Sequence, residues 1–194
     1  MKPMLFGSLL ALAIVATMES PLDLPSNVEC IDLRNGNEVP VLCEIPSNPP
    51  PVELVCPGSF FSLGDSCYGV FDNQTMSWDN AQTFCGSLAA GGRLVELETE
   101  EELALVKRHL LESDYYCSAY SWYWIGGEEI GDSNTFKWAS TGQMINDSDW
   151  YPGQPNGSDS GDAILLFCGA NWMWFDLIKS DTILFICEAP PVEI

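Results

Sequence analysis

The chain has 194 residues, of which 46% are apolar, including seven Trp and nine Phe. This is enough for one domain with a hydrophobic core and an appendage. It carries 28 acidic and 7 basic residues, for a net charge of −21. Such a surface repels phosphate backbones and anionic lipid headgroups, so binding to nucleic acid or to acidic membranes is not expected. Cations are the natural counter-partners, although solubility of a secreted protein explains the acidity as simply.

The first 20 residues have the pattern of a secretory signal peptide. Lys2 is followed by an apolar run from Met4 to Thr17. A run of about 14 residues is short for a membrane span but typical of a signal core. Small residues near its end predict cleavage between Ala16 and Ser20, with a membrane anchor as the alternative. No second apolar run approaches about 18 residues. We therefore expect the mature chain to be secreted, extracellular and free of the membrane.

Residues 21–55 are acidic and rich in Pro, which predicts an extended N-terminal extension ahead of a folded domain at 56–190. The eight cysteines all follow the signal segment, and an even count in a secretory context indicates disulfides. Zinc binding would need close CxxC pairs or Cys/His clusters, which are absent. Cys30 and Cys43 could close a small loop within the extension. The cysteine spacing by itself leaves roughly a hundred pairings open.

Two helices are predicted in the folded domain. Ser77 is a suitable N-cap for the first, which carries Trp78 and Cys85 at helical spacing. Thr99 with Glu102 forms a capping box for the second. The buried stripe of that second helix is predicted to be Leu103, Val106 and Leu110.

Strands dominate the rest of the domain. Short aromatic segments around Cys67 predict early strands, and further strands are expected at 123–127, 163–168, 172–175 and 182–187. Residues 128–162 form a long polar loop, and a loop of that length inside a compact domain is usually functional. Early helices followed by strands predict an α+β fold.

The order of these motifs resembles a C-type lectin domain over residues 56–188, of the secreted single-domain type. The resemblance implies a C-type lectin-like fold with two helices, small antiparallel sheets and a long polar loop. The matching pieces are Cys56 and Cys67, Trp78 with Ala81 and Cys85, Gly92-Arg-Leu94, Trp124-Ile-Gly126, Trp150-x-Pro-Gly-Gln-Pro-Asn156, Trp174-x-Asp176 and Phe185-Ile-Cys-Glu188.

The resemblance also implies disulfide pairs. They are Cys85 with Cys187 and, as in long forms of the family, Cys56 with Cys67. The second family bridge needs cysteines near Ile164 and Lys179, and neither is present. Cys117 and Cys168 are left over, and we predict that they pair as a substitute. The remaining predicted pair is Cys30 with Cys43.

A calcium-mediated sugar site is implied at Gln154-Pro155-Asn156, where the family usually has a cis proline. Calcium takes about six to eight oxygen ligands, and sugar hydroxyls can supply two of them. By spacing, Asp162 and Asp176 fall at the carboxylate positions of the family site. The expected calcium and carbohydrate ligands are thus Gln154, Asn156, Asp162 and Asp176.

Several departures predict that calcium binding is weak. Phe175 replaces an Asn ligand of the family, and Asp162 is one methylene shorter than the family's Glu. Ordinary turn chemistry also explains Gln-Pro-Asn-Gly without a metal. The nearby candidates for auxiliary calcium sites are Glu129 and Asp132, for which solvated acids are the simpler interpretation.

Glycosylation sequons begin at Asn73, Asn146 and Asn156. A glycan on Asn156 would remove its calcium role and cover the loop. Aromatic rings can stack on sugars, and Trp150, with Tyr151, is the expected surface ring. Trp124, Trp172 and Trp174 are expected in the core instead, because they lie in strands.

An enzyme is not expected, because the single His109 has no nucleophile to activate and no paired-carboxylate or phosphate-loop motif is present. The resemblance implies a lectin for glycans or glycoproteins on cell surfaces, a role often found in innate immunity. Its alternative is a calcium-independent protein-binding domain on the same scaffold. An acidic matrix-associated or mineral-associated protein is a third hypothesis, suggested only by net charge.

Overall fold

The chain divides into two compact units, Met1–Val52 and Glu53–Ile194. The predicted signal segment and most of the predicted extension lie outside the described residues. The computed structural model describes the backbone of Glu29–Ile31 and Leu42–Glu44, and residues 53–115, 117–118, 121–146, 149–157 and 162–194.

The described part of the first unit is a small ribbon. Strand β1 (Glu29–Ile31) pairs antiparallel with β2 (Leu42–Glu44), and Cys30 lies directly opposite Cys43. This register fits the predicted Cys30–Cys43 bond, which stays a prediction because only the backbone is described here.

The described part of the second unit contains two α-helices, ten strands and one short 3₁₀ helix at Cys168–Ala170, which confirms the predicted α+β fold. None of these helices is long and apolar enough to cross a membrane, a statement that covers the described residues alone. In chain order the elements are β3 (Leu54–Val55), β4 (Phe61–Leu63), β5 (Ser66–Met76), α1 (Trp78–Leu88), β6 (Arg93–Leu94), α2 (Glu100–Glu112), β7 (Trp122–Glu129), β8 (Phe136–Trp138), β9 (Asp162–Phe167), β10 (Met173–Ile178), β11 (Ile183–Ala189) and β12 (Val192–Glu193).

One eight-stranded sheet organises this unit. Its main path runs β10-β9-β7-β11-β5-β4, with β6 added at β11 and β8 at β7. All its pairings are antiparallel except β11 with β7. The short strands β3 and β12 pair with each other in a separate two-stranded sheet.

The two helices begin where the sequence predicts. Ser77 has the extended backbone of an N-cap, but its side chain makes no capping bond. Helix α1 is held instead by Trp78, whose indole N–H donates to the carbonyl of Ile125 at 2.8 Å. Helix α2 has the predicted cap, because the N–H of Glu102 donates to Oγ1 of Thr99 at 3.1 Å.

Alternation along the central strands divides the core between the two faces of the sheet. Tyr123 packs with Trp174 in the cluster that includes residues of α2, whereas Trp124 packs in the cluster beneath α1. Successive residues of a strand point to opposite faces, so one strand serves both clusters. Trp124, Trp172 and Trp174 are buried, as predicted.

Three disulfides connect elements of this unit. They join Cys56 to Cys67, Cys85 to Cys187, and Cys117 to Cys168, with Cα–Cα distances of 5.5, 5.5 and 5.8 Å. These are the three pairs expected for this part of the chain. The bond at Cys85 ties α1 to the central strand β11.

A buried carboxyl pair lies beside β11. Glu188 and Glu96 are 3% and 1% exposed, and both face Arg93. Oε1 of Glu188 lies 2.8 Å from Nε of Arg93, and the same atom accepts the backbone N–H of Glu96 at 3.0 Å. The Glu96 carboxylate accepts the N–H and the hydroxyl of Ser140 at 2.7 and 2.6 Å. The pair therefore connects β6 and β11 with the turn that follows β8.

Stability is expected to fall as the pH rises towards alkaline values. Burial raises the pKa of Glu188 to about 8, and the Arg93 guanidinium only partly opposes this. In the unfolded chain this carboxyl has a pKa of about 4.3, so its raised pKa in the folded protein stabilises the fold by the full amount below about pH 4.3. This stabilisation decreases at higher pH and is lost as the pH rises through about 8. Thermal unfolding followed by circular dichroism from pH 5 to pH 9 measures this. Glu188→Gln should flatten the decline, and an unchanged pH dependence in that variant would contradict the assignment to Glu188.

Candidate functional site

Two acids from neighbouring strands form the base of the candidate site. In the β9–β10 register Asp176 lies opposite Ile164 and Asp162 lies opposite Ile178. The two acids are thus diagonal neighbours on one face of the sheet. Their exposed fractions are only 4% for Asp162 and 9% for Asp176. The structure brings these two predicted ligands together.

The loop above them is fixed to β10. The N–H of Trp174 donates to the carbonyl of Asp149 at 2.9 Å, and the N–H of Tyr151 donates to the carbonyl of Trp174 at 3.0 Å. The Asp149 side chain forms an ion pair with Lys107 of α2. A turn then follows, closed by the N–H of Gln154 to the carbonyl of Tyr151 at 2.9 Å. The next peptide bond, Gln154–Pro155, is cis, as the resemblance implies.

Asp176 holds the end of this loop through its carboxylate. Oδ1 accepts the N–H of Asn156 at 3.0 Å, and Oδ2 accepts the N–H of Gly157 at 2.6 Å. Hydrogen bonds from backbone N–H groups to a carboxylate are among the stronger ones in proteins. Asp176 therefore fixes the loop directly, a role that its position at the end of a sequence motif did not reveal.

Gln154 and Asn156 differ in their surroundings. Oε1 of Gln154 is buried and has no hydrogen-bond partner among the described residues. Buried polar atoms usually have a partner, so this oxygen has an unmet need that a cation can fill. The Asn156 side chain is exposed. Of the two predicted amide ligands, Gln154 thus has the buried oxygen without a partner among the described residues, and Asn156 has the exposed side chain.

The donor set suits a cation that prefers oxygen, but it is small. Among the described residues, the candidate donors are the Asp162 and Asp176 carboxylates and the Gln154 amide oxygen. No group of three or more His, Cys, Asp or Glu that could hold a metal occurs in the part of the chain that the structure describes. Calcium takes about six to eight oxygens, so water or ligand hydroxyls would have to complete its coordination.

Of the two aromatic residues expected at the surface, Tyr151 is exposed and Trp150 is half-buried. Trp150 is half-buried, with its ring 5.1 Å from that of Phe136 and 5.8 Å from that of Trp174. The expectation that Trp150 is a surface ring therefore does not fit its packing. Tyr151 is 43% exposed and stacks on Phe175 at 4.9 Å. Alternation along β10 directs Phe175 to the sheet face opposite Asp176. The Phe175 ring and the Tyr151 ring stacked on it therefore do not cover the two acids.

Glu129 is not a solvated acid. It is 8% exposed, and its Oε1 accepts the N–H groups of Ser133 and Asn134 at 2.9 and 2.7 Å. The side chain thus stabilises the turn after β7, whereas Asp132 is exposed in that turn. No local sequence rule identified this role, because the short-range side-chain-to-backbone bonds of turns are typical of Ser, Thr, Asn and Asp.

The three predicted glycosylation sites, Asn73, Asn146 and Asn156, are all exposed. Their positions are compatible with attachment of a glycan, which stays a prediction. His109 is packed against Phe61 at a ring distance of 4.4 Å, and its Nε2 lies 3.1 Å from the Tyr115 hydroxyl. These contacts are those of a structural histidine.

Known relatives share this domain. The chain is 27% identical over 135 residues to the mouse low affinity immunoglobulin epsilon Fc receptor, covering 69% of this chain but only 37% of the receptor. It is 29% identical over 136 residues to Snaclec 3 of Sistrurus catenatus edwardsii, covering 69% of this chain and 84% of that protein.

Solved structures and the family model agree with these relatives. A structure of SPL-1 in complex with GlcNAc is 26% identical, with a TM-score of 0.56, covering 69% of this chain and 94% of that one. The family model of the lectin C-type domain matches residues 74–189, which is more than half of the chain. The chain therefore belongs to the C-type lectin family.

Proposed function

We propose that this protein is a secreted lectin that binds glycans through the loop from Gln154 to Gly157, with the assistance of a calcium ion. The observation that carries the proposal is the buried Gln154 Oε1, which has no hydrogen-bond partner among the described residues. It lies two residues before the Asn156 amide that Asp176 holds. The GlcNAc complex of SPL-1, a protein similar to this chain, is consistent with a saccharide ligand.

Asp162, Asp176 and Gln154 are the residues that would hold the ion. Calcium, when bound, would supply coordination sites for two neighbouring sugar hydroxyls. The two carboxylates would also accept hydrogen bonds from those hydroxyls. Two carboxylates of the described residues are proposed to hold the ion, so we expect weak calcium affinity and a ligand that contributes to ion binding.

Secretion and the partners follow from the same proposal. Three disulfides in the second unit suit an oxidising compartment. The proposed partners are glycans or glycoproteins on cell surfaces, with a role in innate immunity.

The test is isothermal titration of the enzymatically deglycosylated protein with calcium chloride, followed by mannose and galactose conjugates. A glycan array probed with and without EDTA complements it. We expect calcium to bind weakly, glycan binding to disappear in EDTA, and excess calcium to restore it. Glycan binding that is unchanged in EDTA would contradict the calcium role, and binding to no glycan would contradict the lectin function.

One observation favours the second candidate function, calcium-independent binding of a protein. Both Asp176 oxygens already accept backbone N–H groups, so the loop is held without an ion. Phe175 contributes no oxygen and packs on Tyr151 instead. On this hypothesis the titration shows no calcium binding, and removal of calcium leaves the binding of a protein partner unaffected.

A further inference from the structure

We infer that Gly157 is a positioning residue, whose missing side chain allows the ligand loop to close onto Asp162 and Asp176. The inference concerns the site of the proposed function and deepens it. Its consequence for ligand binding rests on that proposed function. The closing of the loop itself can be measured without any ligand.

The space around Gly157 is filled by the two carboxylates. A Cβ atom built on Gly157 would overlap Oδ2 of Asp162 and lie 3.1 Å from its Cγ. The same atom would lie 2.5 Å from Oδ2 of Asp176. Real Cβ atoms do not approach other atoms this closely, so any side chain at 157 must displace either the acids or the loop.

Space, and not backbone conformation, is the reason for glycine here. Gly157 is not among the described glycines with positive φ, so its backbone conformation is open to other residues. Gly153, in the same loop, shows the opposite case. Its φ is +95°, and a Cβ there would meet nothing within 4 Å. The two described glycines of this loop are therefore needed for different physical reasons.

The small size of Gly157 is matched by the short side chain of Asp162. One carbon–carbon bond is about 1.5 Å long, and Oδ2 of Asp162 already occupies the place where the first carbon of a longer residue 157 would be. The close approach allows the Gly157 N–H to reach Asp176 at 2.6 Å. An extra carbon on either Gly157 or Asp162 would enter the same space and move the loop away from Asp176.

The test is a double-mutant cycle with Gly157→Ala, Asp162→Glu and their combination. Hydrogen exchange of the Asn156 and Gly157 amides, measured by NMR, reports loop closure without a ligand. We expect Gly157→Ala to accelerate exchange of these two amides about tenfold or more, because hydrogen bonds to a charged acceptor are lost. Asp162→Glu should act in the same direction. The double variant should be no worse than the more severe single variant, because one displacement already relieves both overlaps.

Gly86→Ala is the matched control, since a Cβ at Gly86 meets its nearest atom at 3.4 Å. It should leave both loop amides unchanged, and near-UV circular dichroism should show that the cores of all variants are intact. Wild-type exchange rates in Gly157→Ala, or strictly additive effects in the double variant, would overturn the inference.

Calcium and conjugate titrations of the same variants separate this inference from the proposed function. If wild-type protein binds its glycan, Gly157→Ala should weaken that binding about tenfold or more. If wild-type protein binds neither calcium nor glycan, the proposed function fails, and the amide exchange still decides the role of Gly157. Loss of glycan binding with unchanged amide exchange would also count against positioning.

Discussion

Replacing Cys85 and Cys187 together with Ala is expected to lower the free energy of unfolding by about 4–5 kcal/mol. The bond spans a sequence separation of 102 residues, so without it the unfolded chain gains much conformational freedom. Both cysteines are fully buried, between α1 and the central strand β11, and their removal also leaves a small packing defect. Urea unfolding followed by fluorescence measures the difference.

The control for this prediction is the Cys56–Cys67 bond, with a separation of only 11 residues. In the same loop-entropy account its removal should cost less than about 3 kcal/mol. An equal or larger loss from the Cys56–Cys67 double variant would show that chain entropy is not the main source of the stabilisation by Cys85–Cys187.

Asp176→Asn is expected to abolish measurable glycan binding and to open the loop. An Asn side chain has one acceptor oxygen and one NH₂ donor, so it can accept from only one of the two amides that Asp176 holds. The NH₂ group would then face the second N–H, which loses a hydrogen bond to a charged acceptor worth about 1.5–3 kcal/mol. The substitution also removes one of the two charges proposed to hold calcium.

Calcium and glycan titrations measure the first effect, and amide exchange at Asn156 and Gly157 measures the second. Asp181→Asn is the matched control, because Asp181 is exposed in the turn between β10 and β11. It should behave as wild type. Glycan binding that survives Asp176→Asn would exclude this carboxylate as a ligand.

Much of the fold could be predicted from the sequence, because local patterns and the order of motifs along the chain specify it. Thr99 and Glu102 identify the start of α2 by a capping pattern that depends only on nearby residues. The early helices and late strands predicted the α+β layout, and the order of the cysteine and tryptophan motifs predicted the family. The disulfide between Cys117 and Cys168 was reached by elimination within that resemblance, and the structure contains it.

The surroundings of individual side chains were harder to predict from the sequence. Trp150 and Tyr151 are adjacent in sequence, yet the first packs on Trp174 and the second is exposed on Phe175. Which of the two faces the core depends on the register between this loop segment and β10. That register is set by backbone hydrogen bonds across 23 residues, from Tyr151 to Trp174. The sequence pattern around Trp150 contains no information about it.

The sequence by itself determined the family, the two helices and the identity of the residues that form the candidate loop. Only the tertiary structure decided how those residues are used. It placed Asp162 and Asp176 side by side on paired strands and turned Phe175 away from them. It also showed that Gly157 leaves the space into which both carboxylates fit. The physical reason is that distances between side chains on different strands depend on register and close packing, which arise only when the chain folds.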